Sequence, residues 1–315
     1  MNNQNKRVDL ATTTNISSTY QGEKAAGYIA AALLSGKTLD GGNITIKPNV
    51  KYKEIVKKYS NDELVFDSSC DFVPTSTITL TEQVLQPKEL QVNLQLCKKD
   101  FRSDWDAISM GYSAFDNLPP SFADFMVGQV AAQVAQKTEQ NIWTGSSAIS
   151  GQFASFDQLF RAGGSGVIQP SLANASITGS ATVVAGLTRV LDSIPDTVYG
   201  KDDLVIYVST ATMKAYQLAV SANYAGGYNQ TNVVGLKPMD FQGIPLVHAP
   251  GLKANAAVAA QKSNLFFGTG LMNDMNEVKV IDMADIDGSQ NVRVVMRYTA
   301  GLQFAFGPEI VYGIG

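Results

Sequence analysis

The residues best suited to covalent chemistry are one histidine, His248, and two cysteines, Cys70 and Cys97. A nucleophilic cysteine needs an activating base within hydrogen-bond reach, and a structural zinc ion needs four ligands that usually come in closely spaced pairs. These three residues lie far apart in the sequence, and no further ligand accompanies them at such a spacing. The pattern therefore predicts a structural or exposed histidine and two reduced core thiols, with a single disulfide as the alternative. A hydrolase that uses Cys97 or His248 is a competing hypothesis.

Other catalytic and cofactor-binding patterns are missing from the sequence. The glycine-rich stretches 163–166 and 268–270 lack the lysine that a phosphate-binding loop requires, and we interpret them as turns. Acidic pairs such as Asp285 and Asp287 are too common to indicate acid–base catalysis. The sequence therefore predicts a protein that is not an enzyme and that has no cofactor and no metal site.

Charged residues are concentrated in one basic and one acidic segment. Five lysines and one acid, Glu54, fall between residues 47 and 58, whereas five acids and one lysine fall between residues 274 and 287. The basic segment is either a solvated hairpin face or a projecting loop that lies on an acidic neighbour, and the acidic segment is its evident complement. The candidate inter-subunit contact residues are Lys47, Lys51, Lys53, Lys57, Lys58, Asp274, Glu277, Asp282, Asp285 and Asp287.

The basic segment belongs to a series of predicted strands. A polar stretch 1–21 and a short helix 22–34 precede them. Alternating apolar and polar residues then predict strands that are separated by turn residues at Asn61-Asp62 and by Pro87. The predicted strands cover residues 44–46, 50–59, 64–66, 75–81 and 90–96.

A long helix is predicted from Ser121 to Thr144. Pro119-Pro120 stops any earlier helix, Ser121 can cap the new one, and Gly145 can end it. Such a helix is roughly 35 Å long at 1.5 Å per residue. Its polar stretch 136–141 is typical of a spine that packs on one side only.

The rest of the chain predicts two helices among several strands. Residues 153–177 are rich in loop signals, a helix at 178–194 carries an apolar face that includes Val184, and Ser209 can cap a further helix. The predicted strands cover 204–208, which is buried, and 243–248, 264–268, 278–281, 291–299 and 302–312. The strands 278–281 and 291–299 are predicted to pair around a turn at Asp287-Gly288. Helices interleaved with mixed sheets indicate an α+β fold.

Composition narrows the class of protein. The 315 residues are 45% hydrophobic and 17% charged, which suffices for a large core. Proteins that bind the phosphate backbone of nucleic acids usually carry a basic excess, and the net charge of −4 argues against that class. A container around nucleic acid needs no such excess. No stretch reaches the roughly 18 apolar residues of a membrane span, and no export signal is recognisable, so we expect no membrane partner.

Several motifs carry a resemblance that extends over nearly the whole chain and is strongest from Leu80 to Gly145. They are LTEQVLQP (80–87), LQLCKKDF (94–101), Trp105, GYSAF (111–115), LPPSF (118–122) and QKTEQNIWTG (136–145). The chain resembles the major capsid proteins of tailed bacteriophages with the HK97-type fold, most of all those of crAss-like phages.

This resemblance implies the domain plan and the partners. The plan is an N-terminal arm (1–42), an extended loop (43–75), a peripheral domain (76–177) with a spine helix (121–144), an apical domain (178–262) and return strands (263–315). It implies a homo-oligomer of hexamers and pentamers around double-stranded DNA that is not read by sequence. Portal, scaffold and minor capsid or decoration proteins, a virion location and assembly in the host cytoplasm follow as expectations. A cellular nanocompartment shell of the encapsulin kind is the alternative.

Overall fold

The structure, a computed structural model, describes residues 37–61, 65, 67, 70, 78–97, 120–172, 175–223, 239–270, 279–283 and 291–315. Residues 1–36 of the arm, which include the helix predicted at 22–34, and the turn at Asp287-Gly288 lie outside these residues. The chain divides into two compact units. The first takes the described parts of 89–136 and 271–299, and the second takes those of 36–88, 137–270 and 300–315.

The order of the elements follows the α+β expectation. The helices are α1 (Lys37–Asp40), α2 (Pro120–Thr144), α3 (Phe156–Arg161), α4 (Val183–Asp192) and α5 (Thr210–Asn223). The strands are β1 (Thr45–Lys47), β2 (Glu54–Asn61), β3 (Ile78–Leu85), β4 (Lys88–Cys97), β5 (Leu204–Val208), β6 (Met239–Phe241), β7 (Ile244–His248), β8 (Ala256–Gln261), β9 (Leu265–Gly268), β10 (Lys279–Asp282), β11 (Asn291–Phe304) and β12 (Val311–Ile314). No helix in the described part of the chain has the length and apolarity to span a membrane.

The core of the second unit is a mixed five-stranded sheet. Its strand order is β12-β8-β5-β7-β6, with β5 parallel to β7 and antiparallel to β8. All five residues of β5 and all six of β8 are buried. Strands buried on both faces need apolar or small side chains throughout, which the sequences LVIYV and AAVAAQ supply.

Helices cover one face of this sheet, and an aromatic cluster covers the other. Leu204, Ile206 and Val208 of β5 share a core cluster with buried residues of α4 and α5. Tyr207 points the opposite way, because side chains alternate along a strand, and its ring lies 5.1 Å from that of Trp143 in α2. The cluster continues from Trp143 to Phe156 at 5.6 Å, so the sheet holds the end of α2 and α3 in place.

The segment around Thr38, near the end of the predicted arm, is hydrogen-bonded to the end of α2. The backbone N–H of Thr38 donates to Oε2 of Glu139 at 3.1 Å, and the Thr38 hydroxyl donates to Oε1 of the same carboxylate. The indole N–H of Trp143 donates to the Thr38 hydroxyl at 2.9 Å. Thr38, Glu139 and Trp143 are all buried. A buried carboxylate such as that of Glu139 requires hydrogen-bond donors, and Thr38 supplies two of them. These bonds hold the start of α1 in place within the second unit.

Helix α2 ends at Gly145, as predicted. The N–H of Gly145 donates to the carbonyl of Asn141 at 3.2 Å. A Cβ at this position would lie 2.7 Å from the Asn141 oxygen and 2.9 Å from the Phe153 oxygen, so only glycine fits. The exposed residues 132, 133, 136, 137, 140 and 144 follow one side of the helix. Over residues 130–144 the helix packs on one side, as predicted, although Thr138, Glu139 and Asn141 of the polar stretch are buried.

The first unit contains the long strand β11 up to residue 299, flanked by two others. Strand β10 pairs antiparallel with β11, from Lys279 opposite Val295 to Asp282 opposite Val292, and β4 also pairs with β11. The Arg293 guanidinium donates to Oε1 of Gln95 at 3.0 Å. The predicted pairing of the strands near 278–281 and 291–299 is confirmed.

Several sequence predictions of local structure were wrong. Strand β2 pairs with β3, whereas the strand predicted at 64–66 lies outside the described residues except for Val65. The loop-rich region 153–177 contains α3, whose start is capped when the Ser155 hydroxyl accepts from the N–H of Gln158. The closing strand 302–312 is the end of β11 followed by the separate β12. Strand β8 was missed, because an alanine-rich run carries no strand signal.

The helix predicted at 178–194 begins only at Val183. Residues 175–177 cross it so closely that a Cβ on Gly186 would lie 2.5 Å from the Ala175 oxygen. That crossing rotates the buried face, so Val183 is buried whereas Val184 is 41% exposed. The cap of α5 is confirmed, because the Ser209 hydroxyl accepts from the N–H of Thr212 at 3.2 Å.

Candidate functional site

The candidate site is the two-stranded hairpin of β2 and β3, which includes part of the predicted basic segment. The strands pair antiparallel over eight residues, from Glu54 opposite Leu85 to Asn61 opposite Ile78. Among the described strands these two form a sheet of their own. A two-stranded hairpin is at best marginally stable in water, so its base must be held by the rest of the unit.

The two faces of the hairpin differ in burial. Opposed residues of an antiparallel pair share a face, and successive residues alternate between faces. Val56 and Leu85 are 7% and 0% exposed on the inner face. Ile55 and Val84, which are directly opposed, are 47% and 44% exposed on the outer face. The hairpin therefore presents an apolar cross-strand pair to solvent, beside the exposed Tyr52.

The base of the hairpin rests on two glycines of the neighbouring sheet. Gly268 of β9 and Gly301 of β11 are opposed in the register and therefore lie on the same face. A Cβ on Gly268 would lie 2.8 Å from Cδ2 of Leu85, and one on Gly301 would lie 2.8 Å from Cα of Pro87. Glycine within a strand allows another chain segment to approach closely. We call Gly268 and Gly301 the glycine window.

Polar contacts also join the base of the hairpin to the sheet. The Lys47 ammonium lies 2.5 Å from the Glu54 carboxylate and 5.1 Å from the centroid of the Phe266 ring. The amide of Gln303 donates to the carbonyl of Val84 at 3.0 Å. Lys47 is opposed to Gly268 across the parallel β1–β9 pair. The start of β2 and the end of β3 are thus both joined to the sheet that contains the glycine window.

The structure places only part of the predicted contact set. Lys47 is half-buried and paired within the chain, whereas Lys51, Lys53 and Lys57 are exposed. Lys57 lies directly opposite Glu82, which is also exposed. Lys58 lies on β2 and Asp282 ends β10, but their side chains are outside the described residues, as are Asp274, Glu277, Asp285 and Asp287 entirely. The charge complement therefore stays a prediction.

Sequence reasoning missed the inner and outer faces of the hairpin because it did not predict that β2 pairs with β3. It also missed the glycine window. Gly301 within a strand of alternating burial was a usable signal, since an interior glycine indicates a bulge or a close approach of backbone.

The histidine is held as a neutral structural side chain. Nε2 of His248 lies 2.8 Å from the Thr210 hydroxyl, and Nδ1 lies 3.4 Å from the Lys37 ammonium. Lysine can only donate, so Nδ1 accepts and the proton resides on Nε2. Burial lowers the pKa of His248, and the charge of Lys37 lowers it further. The histidine is half-buried and hydrogen-bonded, as a structural role requires.

The cysteines do not form a core pair. Cys70 is exposed and Cys97 is half-buried, so the prediction of two core thiols was wrong. Both are free, which leaves the alternative of a disulfide without support. Among the described residues, no cluster of three or more histidine, cysteine, aspartate or glutamate side chains could hold a metal ion.

A charged cluster around Asp157 stabilises the core of the second unit. The Asp157 carboxylate accepts from Arg161 Nε at 2.8 Å, from Lys253 Nζ at 2.7 Å and from the Tyr312 hydroxyl. Burial opposes the ionisation of Asp157, but these hydrogen bonds and the two positive charges outweigh it and lower its pKa. Burial, followed by the bond to Asp157, raises the pKa of Tyr312. The cluster ties α3 to β12 and is structural.

No family model and no curated protein matches the sequence. The fold, however, is similar to that of solved capsids. A subunit from the "Capsid of empty GTA particle" is 11% identical, with 98% of this chain and 94% of that chain covered and a TM-score of 0.60. A subunit from the "Capsid structure of the Cyanophage P-SCSP1u" is 10% identical, with 100% and 92% covered and a TM-score of 0.54. A "virus-like particle from Pyrococcus furiosus" is 9% identical, with 92% and 97% covered and a TM-score of 0.51. The protein thus has the HK97-type capsid fold that its sequence predicted.

Proposed function

We propose that the protein is the major capsid subunit of a tailed bacteriophage and is most similar to those of crAss-like phages. Hexamers and pentamers of it assemble into an icosahedral shell around the double-stranded DNA genome. The observation that carries the proposal is the fold likeness, which covers 98% of this chain and 94% of the GTA capsid chain. The crAss-like affinity rests on the sequence motifs between residues 80 and 145.

The physical basis of such a shell is the repetition of weak contacts. Symmetry makes each subunit form every contact at once, so modest interfaces add up to a stable closed particle. A net charge of −4 suits a container whose contents are neutralised largely by ions. The shell subunit therefore needs no site that recognises DNA sequence.

The hairpin is the element we expect to reach a neighbouring subunit. It is joined to its own unit at the base, whereas Tyr52, Ile55 and Val84 expose apolar surface. Lys51 and Lys53 precede β2 and are exposed, and an acidic neighbour would attract them. We propose the segment 274–287, with Asp274, Glu277, Asp282, Asp285 and Asp287, as the corresponding surface on the adjoining subunit.

The remaining partners follow from the same proposal. A portal, a scaffold and minor capsid or decoration proteins would join the shell. The subunits would assemble in the host cytoplasm and end in the virion. The domain plan of arm, extended loop, peripheral domain and apical domain belongs to this proposal as well.

Expression of the full chain, alone and with its phage assembly partners, tests the function. We expect hollow particles of uniform size in electron micrographs and fast sedimentation. Packaged, nuclease-resistant DNA supports a virion shell, whereas a protein cargo supports the nanocompartment. Soluble monomers under every condition would refute both. Cys97→Ala and His248→Ala should leave assembly intact, and a hydrolytic activity lost in either variant would restore the enzyme hypothesis.

Charge reversal tests the hairpin contact separately. Lys51→Glu with Lys53→Glu should reduce the yield of particles, and lysines introduced at Glu277 and Asp285 should restore it. Lys57 is left unchanged because it lies opposite Glu82 in its own hairpin. Lys137→Glu with Lys214→Glu changes the net charge equally at two exposed helical positions and is the matched control. Normal particles from the hairpin variant would refute the contact.

A further inference from the structure

Helix α1 is held by two side chains that can each take up a proton. The Glu139 carboxylate of α2 accepts from the backbone N–H of Thr38 at 3.1 Å and from the Thr38 hydroxyl. Nδ1 of His248, at the end of β7, accepts from the Lys37 ammonium at 3.4 Å. A carboxylate oxygen or an imidazole nitrogen that binds a proton becomes a donor. Both of these attachments therefore depend on an acceptor that acid removes.

The two attachments differ in burial. Thr38 and Glu139 are 0% and 6% exposed, and the fully buried Trp143 donates to the Thr38 hydroxyl. Lys37 is exposed, and His248 is half-buried. The usual pKa of histidine, about 6.5, lies near neutrality, whereas that of glutamate, about 4.3, does not. His248 is thus placed to respond to mild acid, while Glu139 holds α1 at neutral pH.

The tautomer of His248 is the one that its contact with Lys37 requires. Nε2 donates to the Thr210 hydroxyl at 2.8 Å, so Nδ1 carries the lone pair. Protonation of Nδ1 would place a second positive charge 3.4 Å from the Lys37 ammonium. Burial, followed by the charge of Lys37, lowers the pKa of His248, so the imidazole is neutral at neutral pH. Because the folded pKa is lowered, the attachment is complete above about pH 6.5 and weakens as the pH falls below that value.

Lys37 is the charge that acts on the pKa of His248. The other charged residues on the elements near His248 are Asp40 of α1, Lys137 and Glu139 at the end of α2, Lys214 of α5, Asp240 of β6 and Lys253 of the loop after β7. Glu139 is bonded to Thr38, and Lys253 is paired with Asp157. Lys137, Lys214 and Asp240 are exposed, so solvent and salt screen them. The side chain of Asp40 lies outside the described residues, and β5 places the uncharged Val208 opposite His248.

We propose that α1 is a latch that mild acid opens, with His248 as its sensor and Glu139 as the anchor that keeps it closed at neutral pH. Opening would detach the chain N-terminal to Lys37 from this part of the second unit. Leu39 of α1 is 3% exposed and opposes opening, so acid shifts the balance between closed and open forms. The latch is a property of a single subunit and does not rest on the proposed function.

Hydrogen exchange of the full chain measures the latch. Protection factors correct for the intrinsic effect of pH on exchange. From about pH 7.5 to about pH 5.5 the protection factor of the Thr38 amide should fall about fivefold, the size expected when like charges replace an exposed hydrogen bond. The amides of β5, in the same unit, are the internal control and should keep their protection. In a Trp105→Phe background the indole N–H of Trp143 gives a single signal, which should lose protection in parallel with Thr38.

Three variants assign the parts of the latch. His248→Gln can accept from Lys37 and donate to Thr210 but does not titrate, so the protection of Thr38 should no longer depend on pH in this range. Lys37→Met removes the opposing charge at an exposed position and should also abolish the fall. Glu139→Gln replaces an acceptor by an amide group, so it should lower the protection of Thr38 at both pH values and leave its dependence on pH in place.

Equal protection of the Thr38 amide at both pH values, or a fall that persists in His248→Gln, would overturn the proposal. Equal losses at Thr38 and β5 would mean that acid destabilises the whole unit, which overturns it too. Lys37→Met changes a surface residue and keeps the test decisive if Glu139→Gln does not fold. None of these measurements requires a shell, so a failure of the latch is distinguishable from a failure of the proposed function.

Discussion

Leu85 packs the base of the hairpin against the glycine window, and its replacement by alanine gives a quantitative test of that packing. The side chain is fully buried and packs over Gly268, 2.8 Å from where a Cβ on that glycine would lie. Leu85→Ala would leave a cavity between the hairpin and the sheet. Such substitutions cost about 2–5 kcal/mol, and the rigid strand backbone beneath the cavity limits collapse, so we expect about 3 kcal/mol. That is roughly a hundredfold in the folding equilibrium.

Urea unfolding of the isolated subunit, with hydrogen exchange of the β3 amides, measures this loss. The midpoint should fall while the dependence on urea stays unchanged, because the surface exposed on unfolding is nearly the same. Exchange at β3 should accelerate more than exchange at β5, since the cavity lies at the hairpin base. The two compact units need not unfold together, so a single urea midpoint can combine two transitions. Hydrogen exchange at individual strands assigns the loss of stability to the hairpin.

Val84→Ala is the matched control, because Val84 is the preceding residue on the same strand and points outward. It should cost the isolated subunit no more than about 0.5 kcal/mol, as surface substitutions usually do. A loss below about 1 kcal/mol for Leu85→Ala, or an equal loss for both variants, would contradict the assignment of inner and outer faces.

Three further predictions concern residues outside the hairpin. Asp157→Asn removes the carboxylate that pairs with Arg161 and Lys253, and it should cost about 1–3 kcal/mol of stability near pH 7. Because the folded pKa of Asp157 is lowered, the stability that this carboxylate contributes should be complete above about pH 4 and disappear as the pH falls below that. Thermal unfolding at each pH would measure this loss. Gly251→Ala would bring a Cβ within 2.3 Å of a carbonyl oxygen of α2 and lower the melting temperature, whereas Gly128→Ala, with open space around it in the same helix, should raise it or leave it unchanged. The NMR titration of His248, the one histidine, should give a pKa below 6.5, and Lys37→Ala should raise that pKa only in part, because burial is its larger cause.

Much of the fold could be predicted from the sequence because its signals are local. Strand β5 was predicted with its observed bounds, since a short apolar run between turn residues permits little else. The proline pair and Gly145 bounded α2 for a similar reason. These features depend on neighbouring residues, and the tertiary structure supports each of them.

The failures share a different cause, which is dependence on residues far away in the chain. Val184 has a suitable helical spacing for burial, but the crossing of residues 175–177 at Gly186 selects Val183 instead. The partner of β2 lies beyond residues 62–77, and a nearer apolar segment at 64–66 looked equally suitable. The glycine window requires Gly268 and Gly301 to be opposed, and this register follows only from the folded sheet.

The glycine window also determines the direction in which the hairpin points, and this direction decides which neighbour the hairpin could reach in the proposed shell. Its direction is set at the base, where Leu85 and Pro87 contact the two glycines, because a loop tip cannot orient a strand pair that forms no larger sheet. Since side chains alternate, Leu85 points into the subunit and should affect its stability, whereas the adjacent Val84 points to solvent and should affect only the contacts proposed with a neighbouring subunit. Folding and assembly can therefore be altered independently within one strand. Larger side chains at Gly268 or Gly301 should tilt the hairpin and impair assembly even in variants that still fold, because the hairpin would no longer point at the neighbouring subunit that we propose it reaches.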